Sequence, residues 1–319
     1  MGNEQGHCAI KNEDLFERLL AADILTPEQI RETTMQEKPS TKKQMVTVSS
    51  VTGFIKKVCS DRGDRGLEVF YRGHSNKKKY KLEPSLFRKD EVENYLYLDN
   101  EHILYRELIV SNSADFQSDE YTLDKLVRMQ HYSLPTRLLD ITSNPLIALY
   151  FACKSAHAEQ GEVIIFSMDR DKVNYFDSDV ASCISNLARL KKEVKDGIDW
   201  DLVGDDFNQQ EPVRQLVHFI KEEKPHFESR IKPGDLKKIV CVKGKQSNDR
   251  ISSQSGAFLL YGLNALMNEG GTPEISVDRI TVKDKPKIIK DLDLLNINES
   301  TVFPYIENSA KYVADKYKF

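Results

Sequence analysis

The chain is expected to fold as an α+β protein, with a mixed or antiparallel sheet at its core, flanking helices and a helical insert. Three observations predict this. Residues 162–168, 237–243, 256–261 and 274–282 are rich in Val, Ile and aromatic residues, as strands are. The segments joining the strands are helical but unequal in length, without the regular rhythm of a doubly wound fold. Residues 145–157 are apolar almost all round, which is the pattern of a buried helix.

The elements follow in order. Leu15, Leu19, Ala22 and Leu25 recur at helical spacing, and Thr26 can N-cap a second helix that opens on Pro27, so residues 13–34 read as a helical hairpin. The polar stretch 36–44 reads as a linker. A boundary near residue 45 therefore divides an N-terminal hairpin with its linker (1–45) from the main domain (46–319). Ser50 can cap a helix running to Val58. In residues 66–72, Leu67, Val69 and Tyr71 alternate with Glu68, Phe70 and Arg72, a strand that puts Arg72 on the face of Glu68 and Phe70. Helices are expected over 90–113 and 122–131, and residues 131–143 read as a polar loop. Asn144 and Pro145 form a well-specified helix start, since Asn can accept from the first-turn amides and Pro needs no donor there. The charged stretch 180–227 is the helical insert. Helices over 286–294 and 303–316 end the chain.

Composition narrows the classes of function. With 319 residues, 39% of them hydrophobic, the chain can bury a substantial core. No apolar run reaches the ~18 residues of a membrane span, and residues 1–10 lack a secretory profile, so a cytoplasmic protein without membrane partners is expected. The five cysteines are scattered with no metal-ligand spacing, which predicts reduced thiols and no metal site. A net charge of −4 gives no global attraction to nucleic acid, although Lys77-Lys78-Lys79 with Lys81 and Lys191-Lys192 with Lys195 form local basic clusters. Phosphate-loop, dinucleotide-fold and hydrolase-elbow motifs are absent.

Three places carry candidate chemistry. Arg72 closes a strand before Gly73; its guanidinium suits phosphate or carboxylate and Gly73 would let a ligand approach, the alternative being an arginine paired with Glu68 or another carboxylate on its own sheet face. The segment 131–143 gathers His131, Arg137, Asp140, Thr142 and Ser143 just before a helix N-terminus. There a ligand site competes with a structural reading in which Arg137 pairs with Asp140 and His131 ends a helix. Gln254 stands at the mouth of a strand, where its amide could bond a ribose or simply serve a turn.

Phe70-Tyr71-Arg72-Gly73, His131 through Asp140 with Thr142, and Ala148-Leu149-Tyr150-Phe151-Ala152 resemble the FRG domain. Arg250-Ile251, Gln254-Ser255-Gly256-Ala257-Phe258 and Phe303-Pro304 extend the resemblance over roughly residues 46–315. The order of an early-strand arginine, a Thr-Ser loop leading into a helix and a polar strand start is also similar to the arginine-serine-glutamate ADP-ribosyltransferases. That likeness implies an ADP-ribosyltransferase-like fold and a pocket for NAD or a related nucleotide. Tyr71, Arg72, Gly73, His131, Arg137, Thr142 and Ser143 would hold the ligand, with Asp140 and Gln254 as catalytic candidates. Gln254 stands where those enzymes carry a glutamate, and a neutral amide cannot supply the negative charge that favours a developing cation. The implied activity is transfer of ADP-ribose to a protein or nucleic-acid acceptor, as in an intracellular toxin or phage-defence effector. The alternatives are a nucleotide or nucleic-acid binding module without turnover, and a scaffold in which these motifs only pack.

Overall fold

The computed structural model describes residues 46–60, 66–245 and 256–303. The expected hairpin and linker before residue 45, Gln254 with its preceding segment, and the helix expected beyond Phe303 lie outside these residues.

Eight strands form one mixed sheet: β1 (Val46–Val48), β2 (Leu67–His74), β3 (Leu138–Thr142), β4 (Gly161–Asp169), β5 (Val173–Tyr175), β6 (Ile239–Lys243), β7 (Gly256–Tyr261) and β8 (Ser276–Val282). Their order is β1-β8-β4-β2-β3-β7-β6-β5. The edge pairs β1/β8 and β5/β6 are parallel and the inner pairs antiparallel. Ten α-helices lie among the described residues: α1 (Val51–Ser60), α2 (Glu101–Ser111), α3 (Thr122–His131), α4 (Pro145–Cys153), α5 (Asp179–Ser185), α6 (Lys192–Asp196), α7 (Gly204–Gln209), α8 (Glu211–Glu223), α9 (Lys285–Leu294) and α10 (Glu299–Val302). The molecule is α+β, as expected.

The pairing is uneven at the centre. β2 and β4 run in register from Leu67↔Asp169 to His74↔Glu162, and β3 and β7 from Leu138↔Leu260 to Thr142↔Gly256. Between β2 and β3 the register holds a single pair, Tyr71↔Thr142. Two well-paired half-sheets thus meet at one rung, and the strands diverge beyond it.

Strand alternation sorts the cores. Phe70, Ile164 and Phe166 of one half and Leu139, Ile141 and Leu259 of the other share one cluster, closed over by Leu82, Leu86 and Phe87. On the opposite face Tyr71, Val163, Ile165 and Ile280 pack beneath α1, α4 and α9. Leu138, Val240, Phe258 and Leu260 pack beneath α3, α5 and α8. The charged stretch 180–227 is therefore the cover of the second half-sheet.

Two expectations need correction. The helix placed at 90–113 begins only at Glu101, because Asp90 Oδ1 accepts from the amides of Val92 and Asn94 and fixes a turn with Glu93 at φ 66°. Residues 138–142, read as loop, are the central strand β3. Its polar residues Asp140 and Thr142 break the apolar signature of a buried strand.

Candidate functional site

α3 and α4 cover different half-sheets on the same side, and a cavity of about 160 Å³ lies between them over the central seam. β2 contributes Tyr71, Arg72 and Gly73, β3 contributes Asp140, Ile141 and Thr142, and Gly256 to Phe258 of β7 close the far side. Gln130 and His131 come from the end of α3, and Ile147, Ala148 and Phe151 from one face of α4. The walls are largely apolar with a few converging polar groups, which is the make-up of a small-molecule site. Sites that enclose whole drug-sized ligands run to roughly 300–1,000 Å³. This one has room for a ring or a sugar.

Local chemistry sets the frame. Asn144 Oδ1 accepts from the Leu146 amide at 3.0 Å and starts α4, as its sequence predicts. The Thr142 hydroxyl accepts from the Asn144 amide at 3.0 Å and ties the end of β3 to that cap. The Thr136 hydroxyl bonds Gln130 Oε1, which fixes the outgoing end of α3.

Arg72 bridges the gap where the half-sheets part. Its Nη1 donates to the Asp140 carbonyl at 2.7 Å and its Nε to His74 Nε2 at 3.2 Å, while Nη2 has no hydrogen bond among the described residues. His74 Nδ1 lies 3.0 Å from Glu162 Oε1, which also accepts from Arg279 Nη1 at 2.9 Å. Because Nε2 must accept from Arg72, the proton sits on Nδ1 and is donated to Glu162. Burial lowers the His74 pKa, and Glu162 only partly opposes it, so the ring is held neutral. Burial likewise presses the Arg72 pKa down against the raising effect of the Asp140 carboxylate, yet a guanidinium remains charged. A buried relay across β2, β4 and β8 thus orients the one arginine or lysine that lines the cavity among the described residues. Pairing of Arg72 with Glu68 does not occur, since Glu68 takes Lys243 at 2.6 Å instead.

Seven of the nine residues singled out in the sequence are brought together or nearly so. Tyr71, Arg72, Gly73, His131, Asp140 and Thr142 line the cavity, and Ser143 is exposed just past its edge. Gln254 lies outside the described residues. Arg137 is placed elsewhere: it is 1% exposed, forks onto Glu101 at 2.7 and 2.6 Å, and donates to the Tyr261 carbonyl at 2.7 Å. Neither a ligand of this cavity nor Asp140 is its partner. Gly73 also has a different reason from ligand approach. A Cβ there would stand 1.9 Å from the Ala148 carbonyl oxygen and 2.6 Å from the Ala152 amide, so the glycine lets α4 lie against β2.

The sequence reading missed Gln130, the α4 face and the His74–Glu162 pair. His74 carried a usable signal, because it follows Arg72 by two positions and shares its strand face. Glu162 had none, being a partner 88 residues away. No cluster of three His, Cys, Asp or Glu among the described residues is placed to hold a metal. Arg72, Asp140, His131 and Thr142 are among the polar residues that line the cavity.

No curated protein and no solved structure matches the chain. The family model of the FRG domain matches residues 67–161, which contain every cavity-lining element except β7. The segment from β2 to the start of β4, with the arginine, aspartate and threonine of this cavity, is thus the part of the chain that matches the FRG domain.

Proposed function

We propose that the cavity binds the nicotinamide-ribose end of NAD or a related nucleotide and that the protein transfers ADP-ribose to a protein or nucleic-acid acceptor. The observation that carries this reading is the convergence of Arg72, Asp140, Thr142 and His131, from three separate elements, on one largely apolar space. An apolar slot flanked by Phe151 and Phe258 suits a flat pyridine ring. Arg72 Nη2 suits a phosphate or ribose oxygen, and the Asp140 carboxylate that lines the cavity would stabilise a developing positive charge.

In the reaction, the bond between ribose C1′ and the pyridinium nitrogen breaks and both electrons go to nicotinamide, which leaves neutral. The carbon cation is captured by a lone pair of the acceptor, whose proton passes to the Asp140 carboxylate. Low-dielectric surroundings strengthen the effect of that carboxylate on the developing charge.

The test uses NAD labelled in its adenosine half, incubated with the protein and a cell lysate. Label on a macromolecule, lost in Asp140→Asn, is the expected result. Nicotinamide release without label transfer would reduce the activity to NAD hydrolysis. A second reading, nucleotide binding without turnover, is favoured by Asp140 being the one carboxylate among the described cavity residues. Under it, NAD binds without chemical product.

A further inference from the structure

A second cavity, of about 330 Å³, also has Arg72 in its wall. Lys79, Lys81, Arg88 and Lys89 join Arg72 there, so five cations face one space. Three carboxylates, Glu83, Asp90 and Glu93, share the lining. Two of them are already engaged. Glu93 is paired with Lys89 at 3.0 Å, and Asp90 accepts from the Val92 and Asn94 amides at 2.9 Å in its own turn. Lys79, Lys81 and Arg88, by contrast, have side chains without an ion pair or hydrogen bond among the described residues, and Arg88 is close enough for its charge to press against that of Arg72. Like charges held near one another, with no carboxylate bonded between them, repel, and an anion seated among them would relieve that repulsion.

The geometry points to this second cavity as a phosphate subsite that takes a pyrophosphate-sized anion on Arg88, Lys81, Lys79 and the free Nη2 of Arg72. A small ligand fits better than an extended polyanion, because Glu83 and the exposed Glu93 stand in the lining and would repel a passing chain of phosphates. Arg72 belongs to both cavities, so the anion and the nucleoside would be held on two sides of one guanidinium. Identifying the anion as the phosphates of the same nucleotide rests on the function proposed above; the anion site itself rests on the unpaired cations.

Calorimetric titration of the whole protein with inorganic pyrophosphate tests it, with Arg88→Gln and Lys81→Gln as exposed variants that leave the relay intact. The wild type is expected to bind, and each variant to weaken binding by about tenfold, the equivalent of one lost charge-assisted contact of ~1.4 kcal/mol. Wild-type protein that ignores pyrophosphate, or variants within twofold of it, would overturn the assignment. So would a single-stranded oligonucleotide that binds through these cations and is not displaced by pyrophosphate. Binding that depends on Arg88 in a protein that never releases nicotinamide would support the anion site while removing the transferase reading.

Discussion

Replacing Glu101 by Gln should destabilise the protein more than any surface change. Glu101 is 3% exposed and holds two buried cations at once, Arg137 through two bonds and Lys195 Nζ at 2.8 Å. Burial pushes its carboxyl pKa up, but Arg137 and Lys195 outweigh burial and bring it from 4.5 down to about 2. That depression corresponds to about 3 kcal/mol between charged and neutral forms. Glu101→Gln keeps the shape and leaves both cations uncompensated, so a loss of about 3–5 kcal/mol is expected at pH 7. The sign with pH follows from a folded value below the unfolded one. The stabilisation is complete above about 4.5 and is lost as pH falls toward 2. Urea unfolding of wild type and variant between pH 7 and pH 3 should show the two curves converging as acid is added. A loss under about 1 kcal/mol at pH 7, or a gap that stays constant with pH, would refute the reasoning.

Three further outcomes follow from the same structure. Gly73→Ala should cost about 1–3 kcal/mol or more, read as a lowered urea midpoint, because the new Cβ meets backbone of α4 that has no room to move. Wild-type stability should fall as pH drops below 6.5, because burial holds the folded His74 below that unfolded value, and the fall should stop once the folded value is passed. Only once pH falls to the lowered folded value does His74 protonate in the folded protein and cease to accept from Arg72, so nucleotide affinity should decline there, where the stability fall levels off, and His74→Phe should give an affinity lower by about tenfold and flat with pH; an unchanged pH profile in that variant would show that His74 does not position Arg72.

The parts of the fold legible in the sequence were those with local causes. The Asn144-Pro145 start of α4, the span of α3 and the strand over Gly256–Tyr261 each follow from capping or composition within a few residues. β3 was not legible because a central strand next to a cavity carries Asp140 and Thr142 in place of apolar residues. The late start of α2 depends on a side-chain turn at Asp90 that competes with helix. At the site, Arg72 and Asp140 stood out as polar residues in marked positions. Arg137 stood out in the same way, and only Glu101, 36 residues upstream, reveals it as a buried structural cation. Composition cannot separate an arginine that meets a ligand from one that meets a glutamate, since both need the same guanidinium. The reason for Gly73 was equally hidden, because the approach of α4 to β2 is a tertiary event.

The central claim is that the seam cavity turns NAD over on Arg72 and Asp140. Free nicotinamide, followed by chromatography after incubation of the protein with NAD and a lysate, measures it directly. The account predicts release by the wild type that disappears in both Arg72→Ala and Asp140→Asn, with Asp140→Asn retaining a wild-type urea midpoint. Release at the wild-type rate in folded Asp140→Asn or Arg72→Ala would contradict it.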